Sequence, residues 1–222
     1  MNSPRFTQHG DIIANAAKAY LPAIGMKRKG RSRIWLKDNG WWLAVVEFQP
    51  SGWSKGTYLN VAATWLWYAK DYLSFDECKR AEGFAEFTDQ QSFTLVADKY
   101  ASQAAIEVLS LCEHFSSMND AAKHLRAKAD GNPWHHYHAM MASLANGELI
   151  DARVQQEALS QVEHNVPWCL ELKAKAATIM IEARDVVSAQ TLVSAEVAAA
   201  RLLLKLPVIE NIISLQTAQY KN

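Results

Sequence analysis

Residues 34–49, IWLKDNGWWLAVVEFQ, decide the fold of the first half of the chain. Ile34 and Leu36 lie two positions apart, which is the spacing of one face of a strand. Asp38-Asn39-Gly40 then supplies the backbone freedom that a tight hairpin turn requires. Trp41 to Gln49 is rich in β-branched and aromatic residues, which favour strands. The stretch therefore predicts an antiparallel hairpin.

The hairpin is expected to grow into a sheet of three or four antiparallel strands. A third strand is predicted over Thr57 to Trp67, which is again rich in β-branched and aromatic residues. Ser74 with Glu77 makes a capping-box pattern, which predicts a short helix that ends at Gly83. A fourth strand is predicted over Ser92 to Ala97.

Helical patterns precede and follow the predicted strands in the sequence. Apolar residues at three-and-four spacing predict an N-terminal helix over residues 8–23. From about Ser102 the pattern is helical to the end of the chain. The later helices are predicted to begin near Ser117, Pro133, Glu148, Pro167, Val186 and Pro207. The fold class is therefore α+β, with an N-terminal helix and a small antiparallel sheet (residues 1–100) followed by an all-α region of antiparallel helical hairpins (residues 101–222).

The helical half contains an internal similarity. Glu148-Leu149-Ile150-Asp151-Ala152 matches Asp185-Val186-Val187-Ser188-Ala189 type for type, at an offset within the range of helical-hairpin repeats. The spacing of Gly147 and Ala152 resembles the inter-helix turn of tetratricopeptide repeats, where the alanine lets two helices pack closely. This resemblance implies hairpins of antiparallel helices.

The first half resembles a known family. Phe48-Gln49-Pro50-Ser51 and Tyr58-Leu59-Asn60-Val61, which follow a helix and a basic turn, are similar to an uncharacterised bacterial domain family with an F-Q-x-S type strand end and a short Asn-containing strand. The similarity covers roughly residues 8–125. It implies a bacterial α+β domain of unknown function, and no catalytic residues come with it.

Charge and composition limit the classes of function. In 222 residues, 23 Lys and Arg balance 23 Asp and Glu, which excludes the overall basic field of a protein that coats nucleic acid. Residues 1–25 lack signal-peptide features, and charges such as Arg201 and Glu210 interrupt the most apolar segment, so we expect a cytoplasmic protein without a membrane span. Reduced thiols are expected for the three unpaired cysteines, Cys78, Cys112 and Cys169.

A cationic stretch is the first candidate for a binding site. Its members are Lys27, Arg28, Lys29, Arg31 and Arg33, and Trp35 follows them. Cations that neutralise phosphates, beside aromatic faces on which bases stack, are what single-stranded nucleic acid requires. The alternative is a solvated loop that precedes tryptophans of the core.

The loop from Gln49 to Gly56 is the second candidate. It contains two glycines, two serines and Lys55, but it lacks the residue order of a phosphate-binding loop. Trp53 at its tip would suit a pocket on a partner, because tryptophan is enriched among interface hot spots. The alternative is that Trp53 folds back onto the sheet.

Three histidines in residues 135–138 are the third candidate. On a helix that begins at Pro133, His138 lies at the edge of the apolar face and His135 about 60° away, while His136 points to the opposite side. Only His135 and His138 could share a metal, and a catalytic zinc needs a third protein ligand. The alternative is that His138 packs in the core.

The sequence shows no local catalytic set: it has no G-x-S-x-G, no H-E-x-x-H and no dinucleotide fingerprint. Helical hairpins build rigid surfaces, and eight tryptophans exceed the needs of an average core. We therefore expect a non-catalytic interaction protein without a cofactor, with another protein as its partner and homo-oligomerisation as an option. The alternative is a polyanion-binding module that uses residues 27–33. A metal-dependent enzyme with His135 and His138 is the third hypothesis.

Overall fold

The computed structural model describes residues 8–81, 83–210 and 212–213, and within them it confirms an α+β fold. The first helix is α1 (Gln8–Tyr20). The strands are β1 (Lys27–Arg28), β2 (Ile34–Asp38), β3 (Trp42–Gln49), β4 (Gly56–Trp65), β5 (Glu77–Arg80) and β6 (Ala85–Glu86). The later helices are α2 (Gln90–His114), α3 (Met118–Lys128), α4 (Pro133–Asn146), α5 (Leu149–Gln161), α6 (Pro167–Glu182) and α7 (Val186–Leu203).

The predicted hairpin is confirmed as β2 and β3. The strands pair antiparallel from Ile34 opposite Glu47 to Asp38 opposite Leu43. The Gly40 backbone N–H donates to Asp38 Oδ1 at 3.0 Å, and Gly40 has a left-handed φ of 86°. This is an Asx turn, in which the Asp38 side chain accepts from the backbone N–H two residues later. The sheet then continues in the order β1-β2-β3-β4-β5, with β6 beside β4.

The short helix predicted after Ser74 is wrong, because this segment extends the sheet. Ser74 Oγ donates to the Asp76 carboxylate instead of capping a helix, and the Asp76 backbone N–H donates to Ala63 O of β4. Strand β5 then pairs antiparallel with β4, with Arg80 opposite Asn60. Backbone hydrogen bonds to a strand already in place therefore outweigh the local capping pattern, and the sheet has more strands than predicted.

The fourth strand predicted over Ser92 to Ala97 is also wrong, since these residues lie in α2. Asp89 starts this helix: its Oδ1 accepts from the Ser92 backbone N–H at 2.9 Å. The buried residues of α2 recur at helical spacing, at Phe93, Ala97, Tyr100, Ala101, Ala104, Ala105 and Val108. The buried face of α2 extends over several helical turns. The six residues from Ser92 to Ala97 are too short a segment to show this helical period.

The chain divides into two compact units. The first contains the residues up to Thr64 together with Ser74–Glu113, and the second contains Trp65–Leu73 together with the residues from His114 onward. The first unit holds α1, most of the sheet and nearly all of α2. The predicted boundary after residue 100 falls inside α2.

The second unit is built around α4, which packs against α3, α5, α6 and α7. Every residue from Tyr137 to Ala145 is buried. The segment Trp65–Leu73 supplies aromatic rings to this core: Trp67 Nε1 donates to His138 Nδ1 at 3.1 Å, and the Tyr137 hydroxyl donates to Trp67 O at 3.3 Å.

Lys70 in this segment is buried against aromatic rings. Its Nζ lies 5.8 Å, 5.6 Å and 5.8 Å from the ring centroids of Tyr68, Tyr72 and Trp134, respectively. Such distances are those of cation–π attraction, which strengthens when the cation is withdrawn from water. This attraction helps to hold the segment against α4.

The internally similar segments occupy equivalent positions in the second unit. Leu149 and Val186 are the first residues of α5 and α7, and Ala152 and Ala189 are fully buried one turn later. The predicted helices from Pro133 to Val186 agree with α4 to α7 to within a few residues. The helix predicted from Pro207 does not begin there, since residues 207–210 are not helical. Residues 212–213 are helical, and the rest of this prediction lies outside the described residues.

Helix α7 is long and apolar enough to cross a membrane by length and composition alone. It is the one helix of this kind among the described residues, and 28% of its apolar window is buried inside the protein. A core helix meets the same criterion. The absence of a membrane span therefore stays a prediction.

We expect Gly147→Ala to lower the free energy of unfolding by about 1–3 kcal/mol, because Gly147 has a φ of 81° and an added Cβ would lie 3.0 Å from Val186 Cγ1. The control is Gly131→Ala, since Gly131 has no positive φ and no atom within 4 Å of an added Cβ. Urea denaturation of both variants measures the difference. Equal stability of the two variants would contradict the role of Gly147 in this turn.

Candidate functional site

Two loops that the sequence marks as binding elements lie at the same end of the first unit's sheet. The Phe48 backbone N–H donates to Arg33 O at 3.1 Å, so the start of β2 adjoins the end of β3. The loop before β2 and the loop after β3 are therefore neighbours. Arg33 Nη1 links them directly, since it donates to Gly56 O at 3.5 Å. We call this surface, formed by residues 29–33 with the adjoining strand β1 (Lys27–Arg28) and by residues 50–56, the loop end.

The cationic loop is held in shape by its own hydrogen bonds. Arg28 Nε donates to Ser32 O at 2.7 Å, and Arg28 Nη2 donates to Arg31 O at 3.0 Å. Ser32 Oγ donates to Lys29 O at 2.7 Å. Arg28 therefore organises the loop, while the side chains of Lys27, Lys29 and Arg31 are exposed.

Arg33 occupies a more enclosed place beneath the loop. Its Nη2 lies 3.3 Å from Nε2 of His9, whose ring packs against Phe87 and Phe93. Burial lowers the pKa of His9, and the positive charges of Arg33 and Lys55 lower it further. His9 is therefore neutral near pH 7 and accepts from the guanidinium. The sequence did not point to His9, since it lies 24 positions from Arg33.

Trp53 projects from the second loop with 99% of its surface exposed. Ser51 Oγ accepts from the backbone N–H groups of Trp53 at 3.1 Å and Ser54 at 3.4 Å, which orders the turn beneath the ring. The alternative that Trp53 folds back onto the sheet is wrong. The backbone N–H groups of this turn bond to Ser51 within the loop, and the indole projects into solvent.

Gly56 and Lys55 anchor the end of the second loop. The Phe87 backbone N–H donates to Lys55 O at 2.8 Å, and Gly56 pairs with Glu86 of β6. A Cβ on Gly56 would lie 2.1 Å from Ala85 O, so only glycine allows this approach. Lys55 thereby joins the cationic surface, although the sequence had not singled it out for that role.

Trp35 does not share this surface, because its ring is only 4% exposed. It pairs with Val46 of β3, and the neighbouring Trp41 and Trp42 are also buried. These rings belong to the core of the first unit, as in the alternative interpretation of the cationic stretch. Trp53 is therefore the aromatic residue that the loop end offers to a ligand.

The histidines of residues 135–138 have three different sets of partners. His135 Nδ1 lies 2.8 Å from Asp130 Oδ1, and His136 Nδ1 lies 2.9 Å from Gln155 Oε1. His138 is buried and accepts from Trp67. Within the described residues, no three or more His, Cys, Asp or Glu side chains are grouped so that they could hold a metal ion. The pair His135 and His138 thus has no third ligand among them.

The second unit contains an open pocket of about 570 Å³ that the sequence interpretation missed. Its lining consists of Asp130, Gly131, Asn132, Pro133, Trp134, His164 and Trp168. The rings of Trp134 and Trp168 are nearly parallel, with 7° between their planes and 6.1 Å between their centroids. Each tryptophan follows a proline at the start of a helix. This repeated Pro-Trp pair is the sequence feature from which the pocket could have been predicted.

Comparison with known proteins gave no match: no family model, no curated protein and no solved structure is significantly similar to the chain.

We expect acid to destabilise the first unit through His9. Because the pKa of His9 is lowered in the folded protein, the unfolded chain binds a proton that the folded chain does not, and stability falls as the pH drops below the ordinary value of 6.5. His9→Gln keeps a polar group and removes the titration. Urea unfolding between about pH 5 and pH 7 should show a smaller loss of stability for this variant.

The control is His164→Gln, which removes a histidine that is exposed in the second unit. This variant should retain the pH dependence of the parent protein. If His9→Gln lost stability with falling pH as steeply as the parent protein does, the protonation of His9 would not be the cause.

Proposed function

We propose that this chain is a non-catalytic interaction protein and that the loop end is its binding surface. The observation that carries the proposal is the full exposure of Trp53 at the tip of an ordered loop. An indole left in water forgoes about 2–3 kcal/mol of burial energy, which becomes available when a partner covers it. Tryptophan is for this reason prominent among the residues that dominate binding energies.

Hydrogen bonds within the loop order the backbone that carries the ring before any partner arrives. Ser51 closes the turn on one side of Trp53, and the backbone of Lys55 is bonded to β6 on the other side. A prearranged loop loses less conformational entropy on binding than a flexible one. The fold itself does not use the ring, since almost none of its surface is buried.

The cations of the first loop widen the surface around the ring. Lys27, Lys29 and Arg31 are exposed, and Arg33 contacts the backbone of Gly56, three residues after Trp53. The combination of one apolar ring with surrounding positive charge supports non-covalent recognition of an anionic partner. The exposed ring and cations of the loop end are therefore suited to binding.

We expect Trp53→Ala to abolish or strongly weaken binding without affecting the fold. Because the ring is fully exposed, the free energy of unfolding should change by less than about 0.5 kcal/mol. Binding should fall at least about tenfold if the indole is a hot spot. The measurement is recovery of macromolecules from an extract of the native host on immobilised protein, with the bound fraction quantified as protein and as nucleic acid.

The matched control is Leu95→Ala, which truncates another exposed apolar residue, on α2 of the same unit. This variant should recover the same material as the parent protein. Unchanged recovery by Trp53→Ala would show that the loop end is not the binding surface.

A further inference from the structure

We infer that the partner of the loop end is single-stranded nucleic acid, which contacts the cations through its phosphates and Trp53 through an unpaired base. This inference rests on the proposed function, since it concerns the same surface.

The first support is the local charge. Residues 12–37 contain no acidic residue, and residues 48–70 contain none either. The loop end thus carries six cations, Lys27, Arg28, Lys29, Arg31, Arg33 and Lys55, while the chain as a whole is neutral. Two carboxylates near its border are Glu86, opposite Gly56 in β6, and Glu47, which lies opposite Ile34 in β3 and accepts from the Asn60 side chain. A locally positive surface of this kind attracts phosphates without an overall basic charge.

The second support is that most of these cations are available. Arg28 is bonded to carbonyl oxygens of its own loop, and Arg33 to Gly56 O and His9. Lys27, Lys29, Arg31 and Lys55 are exposed, and none of the four forms an ion pair with another described residue. They can therefore neutralise phosphates without breaking a contact within the protein.

The third support is the position of the ring relative to the charges. Arg33 joins the two loops, so Trp53 projects from the same end of the sheet as the cations. A protruding ring stacks on an unpaired base, and this contact tolerates any base because every base has an aromatic face. In a duplex the bases already stack on one another, so the ring would find no free face.

The surroundings of the ring argue against the other anionic partners. Gly52 and Ser54 flank Trp53, so the loop offers a single indole and no wider apolar surface to insert into a membrane. An acidic peptide would use the cations, but its carboxylate side chains do not stack on the ring as an aromatic base does. An unpaired nucleotide supplies both contacts from one repeating unit.

The test measures binding of the full chain to a fluorescently labelled oligodeoxythymidylate of about 20 nucleotides by anisotropy over a range of salt concentrations. Affinity should fall as salt rises, with a log–log slope of about −0.7 for each phosphate contacted. Trp53→Ala should weaken binding about 10- to 100-fold and leave the slope unchanged, because it removes stacking and no charge.

The double variant Lys29→Ala and Arg31→Ala should reduce the slope by about 1.4, the contribution of two phosphate contacts. Its charge-matched control is Lys99→Ala with Lys123→Ala, which removes two exposed cations on α2 and α3. This control should bind like the parent protein. Because all these side chains are exposed, each variant is expected to fold.

Three competing probes complete the test: a duplex of the same length, a polyglutamate peptide, and vesicles that contain phosphatidylserine. Tighter binding to any of them than to the single strand would overturn the inference, as would a Trp53→Ala variant that binds the oligonucleotide normally. If the oligonucleotide does not bind but Trp53→Ala still loses material from the host extract, the inference fails and the proposed function stands. If Trp53→Ala changes neither assay, both fail.

Discussion

The β2–β3 hairpin is the constraint on which the first unit depends. The hydrogen bond from the Gly40 backbone to Asp38 closes its turn and sets the pairing of the two strands. That register directs Trp35 into the core and brings Arg33 beside Phe48 at the far end. A shift of one residue would reverse the faces of the strand. The position of the loop end is therefore a consequence of the hairpin.

The second unit depends on a different interaction, the packing of aromatic rings around α4. Trp67 bonds to His138, Tyr137 bonds to the backbone of Trp67, and Lys70 lies over the ring of Trp134. These contacts give hydrogen-bond or cation–π partners to the polar atoms of large buried side chains. Without such partners, burial of these polar atoms would cost stability. Of the three clustered histidines, His138 takes part in this packing.

Local signals explain which elements could be predicted. The Asn132 side chain accepts from the Trp134 backbone N–H, Gly147 takes a left-handed φ at the end of α4, and Asp185 with Ser188 forms a capping box. Each signal acts within a few residues, so the helix limits could be predicted. Strand β5 depends instead on hydrogen bonds to β4, which lies more than ten residues earlier, and a local capping pattern at Ser74 could not reveal it.

The sequence by itself determined the α+β class, the hairpin, the starts of α4 to α7 and the cationic character of residues 27–33, because periodicity, turn residues and charge are properties of short segments. Only the tertiary structure decided that Trp35 is buried, that Trp53 is exposed, and that Arg33 contacts both His9 and the carbonyl of Gly56, the residue after Lys55. Burial and proximity depend on which distant segments pack together. The candidate site is therefore a product of strand pairing as well as of the residues in its two loops.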